Sequence, residues 1–264
     1  MGSVERAGQT CVSLFDVPSE GPFEIRGLPS STLTLIVLAD GPVDVALGGT
    51  QIRARSFLAG LHMASAVVAG AGSLRGVQVD LCPVRVAELI GIRPGDIGAQ
   101  AVPLEDLAPG LCGRIDELLV REPLRALQHD VVTATLCDWS LDVRTGSSRP
   151  PVEPVMNAAW RLLLARRGHV GVAEAAAAAG LGQRHFRTKF RAAFGLGPKQ
   201  AARLMRHEAA RRAIEAEPTK PLSALAADLG YADQAHLARE FRGLSGLTPT
   251  EWMTQELRIL QDTT

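Results

Sequence analysis

Lysine is missing from the first 150 residues, only four cysteines occur in 264, and no apolar run approaches the 18 residues that a membrane-spanning helix needs. Each shortage excludes something. The opening MGSVERAGQT has no basic region leading into an apolar stretch, so no secretory signal is expected and a cytoplasmic protein is. Cys11, Cys82, Cys112 and Cys137 are widely spread, with no C-x-x-C and no adjacent pair of histidines, which argues against a disulfide framework and against metal-ligand spacing. They are expected to be buried apolar thiols. His62 has no second His or carboxylate at ligand spacing and is expected at the surface or in a hydrogen bond, not on a metal. Neither a metal nor a cofactor is implied.

An apolar fraction of 46% with zero formal net charge belongs to a globular chain, and the length allows two domains. The neutrality hides a division. Residues 1–150 carry 12 Arg against 17 acidic side chains, a net −5, whereas residues 151–264 carry 16 basic against 11 acidic, a net +5. The excess is concentrated further, because residues 151–220 hold 13 basic and 5 acidic side chains while residues 221–264 hold 3 and 6. Between the halves, RTGSSRPPVEP (Arg144 to Pro154) gathers Gly, Ser and Pro and is read as the linker. The expected domains are 1–147 and 152–264.

The first half reads as strands followed by helices. Thr32 to Leu47 places β-favouring residues on both sides of Asp-Gly-Pro, a strand-pair signal, and Ser56 to Leu81 continues with short apolar segments broken by Gly, as in a small sheet or barrel. Helices are expected in VRVAELIGI, ended by Gly91, in PLEDLAPGLCGRIDELLV and in PLRALQHDVVTATLCDWSL. In the second half caps and Gly or Pro breaks delimit helices at 154–166, 172–179, 183–194, 198–216, 221–229, 234–244 and from 249 to about 260. The fold class is therefore multidomain α+β: a small β-sheet or barrel with helices, then an all-α domain of two helix-turn-helix units joined by a connector helix.

The two units are written as a repeat. FRAAFGLGP (190–198) and FRGLSGLTP (241–249) share Phe-Arg, Gly-Leu and Pro at the same places, 51 positions apart. In the first, Phe186 and Phe190 lie four apart and face inward, leaving Arg184, Arg187, Thr188 and Arg191 on the opposite stripe. In the second, Leu237 and Phe241 face inward, Asp233 can cap, and Gln234, Ala235, His236, Ala238, Arg239 and Arg242 lie outward or beside that stripe. Thr248, Pro249 and Glu251 can form a capping box with Pro at the first helical position. Exposed Arg can grip guanine and Gln adenine in a major groove, and further Arg can hold phosphates. A connector over 198–216 would span about 28 Å, compatible with two groove segments one DNA turn of about 34 Å apart. Basic stripes are often only solvated faces, and Arg191, Arg203, Arg206, Arg211 and Arg212 are open to that reading. Trp139, Trp160 and Trp252 are expected to pack rather than stack on bases.

Leu222 to Trp252 and Val172 to Gln200 resemble the second and first helix-turn-helix of AraC/XylS-type transcriptional regulators, a resemblance covering about the last 110 residues. It implies double-stranded DNA as partner, groove-reading positions at Arg184, Arg187 and Thr188 and at Gln234, Ala235, His236 and Arg239, and no enzymatic activity. Two departures stand out. Gly182 occupies the place of the usual capping Ser, and Ala235 and Ala238 shorten the second contact face, so the first unit is expected to supply most of the readout. The N-terminal half resembles sensor-like domains of some actinobacterial regulators, around LAGLH and RGVQVDLCPVRVAELIGI, which implies an effector-binding or homodimerising role. Two alternatives stay open: a degenerate regulator acting through protein contacts, suggested by the acidic residues 221–264, and a DNA-repair methyl acceptor, which would need an activated Cys such as Cys82.

Overall fold

The structure, a computed structural model, describes residues 10–121, 129–146 and 152–254. Among the described residues nine strands come first: β1 (Cys11–Val17), β2 (Pro22–Gly27), β3 (Leu33–Leu38), β4 (Val43–Leu47), β5 (Thr50–Ala54), β6 (Ser56–Ala59), β7 (Ala66–Ala71), β8 (Leu74–Leu81) and, after two helices, β9 (Ala101–Pro103). They form two antiparallel sheets, ordered β1-β8-β3-β6-β9 and β2-β7-β4-β5. Side chains alternate between the faces of each strand, so Ile36 and Leu38 of β3 join Phe57, Val43, Val45 and Leu47 in a core between the sheets. Leu33, Leu35 and Val37 point the other way, with Val77 and Val79, into a core shared with the helices. The apolar run LTLIVL thus reflects a strand buried on both faces.

The pairing corrects one expectation. β3 and β4 flank Asp-Gly-Pro as two strands, yet they belong to different sheets and do not pair with each other. Asp40 accepts hydrogen bonds from the Arg75 backbone N–H (2.9 Å) and Nε (3.0 Å), which holds the end of β3 beside the start of β8 while Gly41 lets the chain cross over. The local hairpin is instead β4–β5, whose Gly48 and Gly49 both take positive φ (62° and 84°) as a two-residue turn of this hand requires.

Helices cover the five-stranded sheet: α1 (Val86–Ile90, closed by Gly91 at φ 82°), α2 (Pro94–Ile97), α3 (Leu104–Leu107), α4 (Pro109–Arg121) and α5 (His129–Gly146). The first part of the helix expected around Pro123–Leu141 lies outside the described residues. Helix α5 runs on to Gly146, into the segment read as linker, and residues 147–151 are outside the described set. An apolar cavity of ≈ 20 Å³, about the space of one water, remains between β3, α4 and α5. The cysteines also depart from expectation: Cys82 is buried, but Cys11 and Cys137 are exposed and Cys112 is half-buried. Cys11 opens an edge strand and Cys137 sits on the solvent side of α5, positions where periodicity gave no reason to place a thiol inward. Among the described residues no helix is long and apolar enough to cross a membrane.

The C-terminal half is helical: α6 (Pro154–Ala165), α7 (Val172–Ala178), α8 (Gln183–Phe194), α9 (Pro198–Ala216), α10 (Leu222–Asp228), α11 (Gln234–Ser245) and α12 (249–254), whose expected continuation lies outside the described residues. Helix α9 is buried at both ends. Its Ala201, Ala202, Leu204 and Met205 enter the core that holds α6, α7 and α8, and its Ala210 and Ile214 enter the core of α10, α11 and α12. It is a connector set into two units, not a free rod.

The first half presses against both units. Helix α2 lies on the C-terminal end of α8, where a Cβ on Gly95 would stand 2.1 Å from the Ala192 carbonyl oxygen. Ser31 donates its N–H to Glu208 of α9 at 3.0 Å, and its hydroxyl and Arg212 reach the same carboxylate. Leu28 packs into the second unit, and Ser65 Oγ donates to the Ser245 carbonyl at the end of α11 (3.0 Å). Helices α8 and α11 therefore both end against the first half.

Candidate nucleic-acid interface

The repeated residues build the same frame twice. Phe190 and Phe241 are fully buried, Gly195 and Gly246 end α8 and α11 in the left-handed region (φ 80° and 78°), and Pro198 and Pro249 begin the helices that follow. Gly180 and Gly230 make the turns before the second helix of each unit, at φ 66° and 74°. In the first unit Phe186, Phe190 and Phe194 form a continuous aromatic row with Trp160, ring centres 4.6–6.0 Å apart. In the second, Phe241 meets Trp252 at 5.7 Å and His207 of the connector at 4.6 Å. The tryptophans Trp160 and Trp252 are packing residues, and Trp139 is half-buried under Arg114.

With one stripe sealed, the opposite stripe is open. Arg184, Arg187, Thr188 and Arg191 are all exposed on α8, and Gln234, Ala235, His236, Arg239 and Arg242 are all exposed on α11. Arg184, Arg187, Arg191 and Arg239 make no ion pair among the described residues, so their guanidinium groups are available to an outside anion. The other positions are partly occupied. Thr188 Oγ1 donates back to the Arg184 carbonyl at 3.1 Å, Arg242 pairs with Glu251 at 3.2 Å, and His236 stands edge-on to Tyr231 with its Nε2 3.7 Å from Glu240. The second face is the more engaged internally.

Capping differs between the units as the residues dictate. Gly182 begins α8 with no side-chain cap, whereas Asp233 accepts the His236 N–H at 2.6 Å, a contact of a kind worth roughly 1 kcal/mol. Helix α12 has the capping box: the Thr248 N–H reaches Glu251 at 2.7 Å and the Glu251 N–H reaches Thr248 Oγ1 at 3.3 Å. These bonds from Thr248, with Arg242 beside it, hold the Glu251 carboxyl down to about 2.

The wider basic surface is smaller than the composition suggests. Arg203 and Arg206 turn to Glu240, Arg211 pairs with Glu215 at 2.5 Å, Arg212 with Glu208, and Lys189 with Glu153 at 2.8 Å. Four of the five arginines whose role the sequence left open thus have internal partners, and only Arg191 stays on the open face. Glu240 is not among the residues expected at the site. Its signal was there, since residue 240 falls three after Leu237 and one before Phe241, inside the apolar stripe.

His62 is buried, with Nδ1 2.6 Å from the Ala64 carbonyl, and burial lowers its pKa. Cys82 is also buried, and burial raises its thiol pKa against the weaker pull of Arg161 and Arg85.

Comparison with known proteins agrees with this geometry. A family model described as a helix-turn-helix domain matches residues 175–255, from α7 into α12. The probable transcriptional regulator LumQ of Photobacterium leiognathi is 35% identical over 83 residues, which is 31% of this chain; the chain spans about a third of that relative's length (33%). ToxT from Vibrio cholerae has the same overall fold, with a TM-score of 0.58 at 8% identity over 93% of this chain and 98% of that one. A second ToxT structure, with an unsaturated fatty acid bound, gives 0.56 at 9% identity over 95% and 96%.

Proposed function

We propose, from two helix-turn-helix units over which a helix-turn-helix family model matches, that this chain is a sequence-specific DNA-binding transcription regulator of the AraC/XylS type whose helices α8 and α11 enter successive major-groove segments of one duplex. The observation that carries the reading is the pairing of faces: arginine-bearing stripes open to solvent, on helices whose opposite stripes are sealed into cores at the two ends of one connector. Arg184 and Arg187 read guanine edges by bidentate bonds, Thr188 and Arg191 complete the first face, and Arg191 lies toward the backbone phosphates. Gln234 suits adenine, the Ala235 methyl suits a thymine methyl, and His236 and Arg239 finish the second face. Arg242 contributes to phosphate binding when it exchanges Glu251 for DNA. The first unit carries most of the affinity, because Arg184, Arg187 and Arg191 make no ion pair among the described residues and its neighbour lacks long side chains at Ala235 and Ala238.

Residues 152–264 are the DNA-binding domain in this reading and residues 1–147 the regulatory one. The likeness to ToxT, solved with a fatty acid bound, supports a small-molecule effector for the first half, and the contacts of α2 with α8 and of Ser65 with Ser245 offer a route from that half to both reading helices. Catalysis is not part of the reading. A methyl acceptor needs an activated thiolate, and the environment of Cys82 pushes its thiol the other way.

The test is selection of bound duplexes from a random pool by the full chain. Two short conserved segments, centred about one helical turn or 10 base pairs apart, are expected in the enriched pool. A pool with no enrichment would remove the proposal and favour a regulator working through protein contacts.

A further inference from the structure

The buried stripe of α11 contains one charge. Glu240 shares it with Leu237, Phe241 and Leu244, where a carboxylate without partners would be strongly disfavoured. The partners come from the connector: Arg206 Nη2 donates to Glu240 Oε1 at 2.7 Å, and Arg203 Nε stands 3.9 Å from the same oxygen. Arg206 also reaches back to the first unit, since its Nη1 donates to the Gly168 carbonyl at 3.0 Å. Gly168 takes φ 76°, and a Cβ there would lie 2.1 Å from the Ala202 carbonyl oxygen, so the loop after α6 is flush against α9. The next residue, His169, lays its ring on Gly230, the turn glycine of the second unit, 3.1 Å from where a Cβ would be. A single guanidinium, that of Arg206 on the connector, joins the first unit's loop to the second reading helix.

We infer that Glu240 and Arg206 are positioning residues, which fix the setting of α11 on the connector and with it the spacing at which the two reading helices meet DNA. The inference rests on the groove reading proposed above. Apolar helix contacts tolerate several near-equivalent settings, whereas an ion pair with a second hydrogen bond on the same guanidinium selects one. Gln234, Ala235 and Arg239 lie on the outer stripe of the same helix, so any rotation of α11 about its buried face carries them together.

A tie of this kind is separable from simple stabilisation. Replacing both partners by apolar residues, as in Arg206→Met with Glu240→Leu, keeps the volume filled and removes the direction; Glu240→Gln removes the charge alone. Spin labels placed by Arg187→Cys and Ala235→Cys in the full chain, with Cys11, Cys112 and Cys137 changed to Ser, report the distance between α8 and α11. A narrow distribution is expected for the native pair and a broadened or divided one for Glu240→Gln and for the apolar pair, the latter melting at the native temperature. If Glu240→Gln fails to fold, the apolar pair decides. On a duplex selected by the native chain, inserting one base pair between the two segments should weaken native binding about tenfold and binding by the apolar pair less than about twofold. Unbroadened distances in the folded apolar pair, or undiminished discrimination between the two spacings, would overturn the inference. Broadened distances, with an unlabelled native chain that binds no duplex, would uphold the tie and remove the groove reading instead.

Discussion

Changing Arg184 and Arg187 together to Ala is expected to weaken binding to a selected duplex by about 100-fold or more, since each bidentate contact to guanine is worth about 1–3 kcal/mol. Both side chains are exposed, both lie on the face of α8 opposite the Phe186–Phe190–Phe194 row, and neither has an ion-pair partner among the described residues. The double change should therefore leave the fold's melting temperature nearly unaltered. Base contacts and phosphate contacts are separated by salt: if the two arginines read bases, the variant loses preference for the selected sequence over a random duplex, and if they only hold phosphates, the slope of log affinity against log salt falls by about 2 with preference intact. Lys220→Ala is the matched control. Its ammonium is already held by Glu217 and Asp228, at 3.0 and 2.9 Å, and its loss should change affinity less than about twofold.

The second large effect is on stability against pH. His207 of the connector is fully buried, 4.6 Å from the Phe241 ring, and burial with Arg211 nearby lowers its pKa to about 4 despite Glu208 and the Pro29 carbonyl. The unfolded chain takes up this proton near 6.5, well before the folded chain does. Protonation therefore favours unfolding: the contribution is complete above about pH 6.5, is lost as pH falls toward 4, and changes no further below that. At about 1.4 kcal/mol per pH unit the window is worth roughly 3 kcal/mol. His62, lowered by burial, acts in the same direction. Asp80 acts in the opposite one, because burial raises its pKa and the folded chain binds its proton first on the way down. Urea unfolding at a series of pH values should show stability falling from pH 6.5 to 4 in the native chain and a flatter profile in His207→Leu. An equal slope in both would locate the acid sensitivity elsewhere.

The helical half was legible to within a residue or so at most boundaries because its signals are local. Gly195 and Gly246 stop helices through their own φ, Pro198 and Pro249 start them, and Phe186 with Phe190 marks a face by spacing alone. The β-rich half was legible only in outline. β2 and β9 are short strands whose place depends on partners far along the chain, β7 and β6, and the split of β3 and β4 between two sheets is decided by Asp40 meeting Arg75, 35 residues away. The same distinction applies at the interface. Which residues face outward follows from helical period, but which of the outward or bordering arginines are spoken for does not. Arg206 and Arg184 look alike in the sequence, and they differ because Glu240 returns to Arg206 from 34 positions downstream. The separation of the halves by charge was readable, whereas the docking of α2 onto α8 rests on Gly95 lying flush with the Ala192 backbone, which no composition could reveal.

The central claim is that two helices held on one connector read one duplex from one side, and hydroxyl-radical footprinting of the selected duplex by the full chain tests it most directly. The account predicts two protected patches on the same face, their centres about 10 base pairs apart, with the patch due to α8 disappearing first in Arg184→Ala/Arg187→Ala. A single protected patch that both native chain and variant produce equally would contradict it.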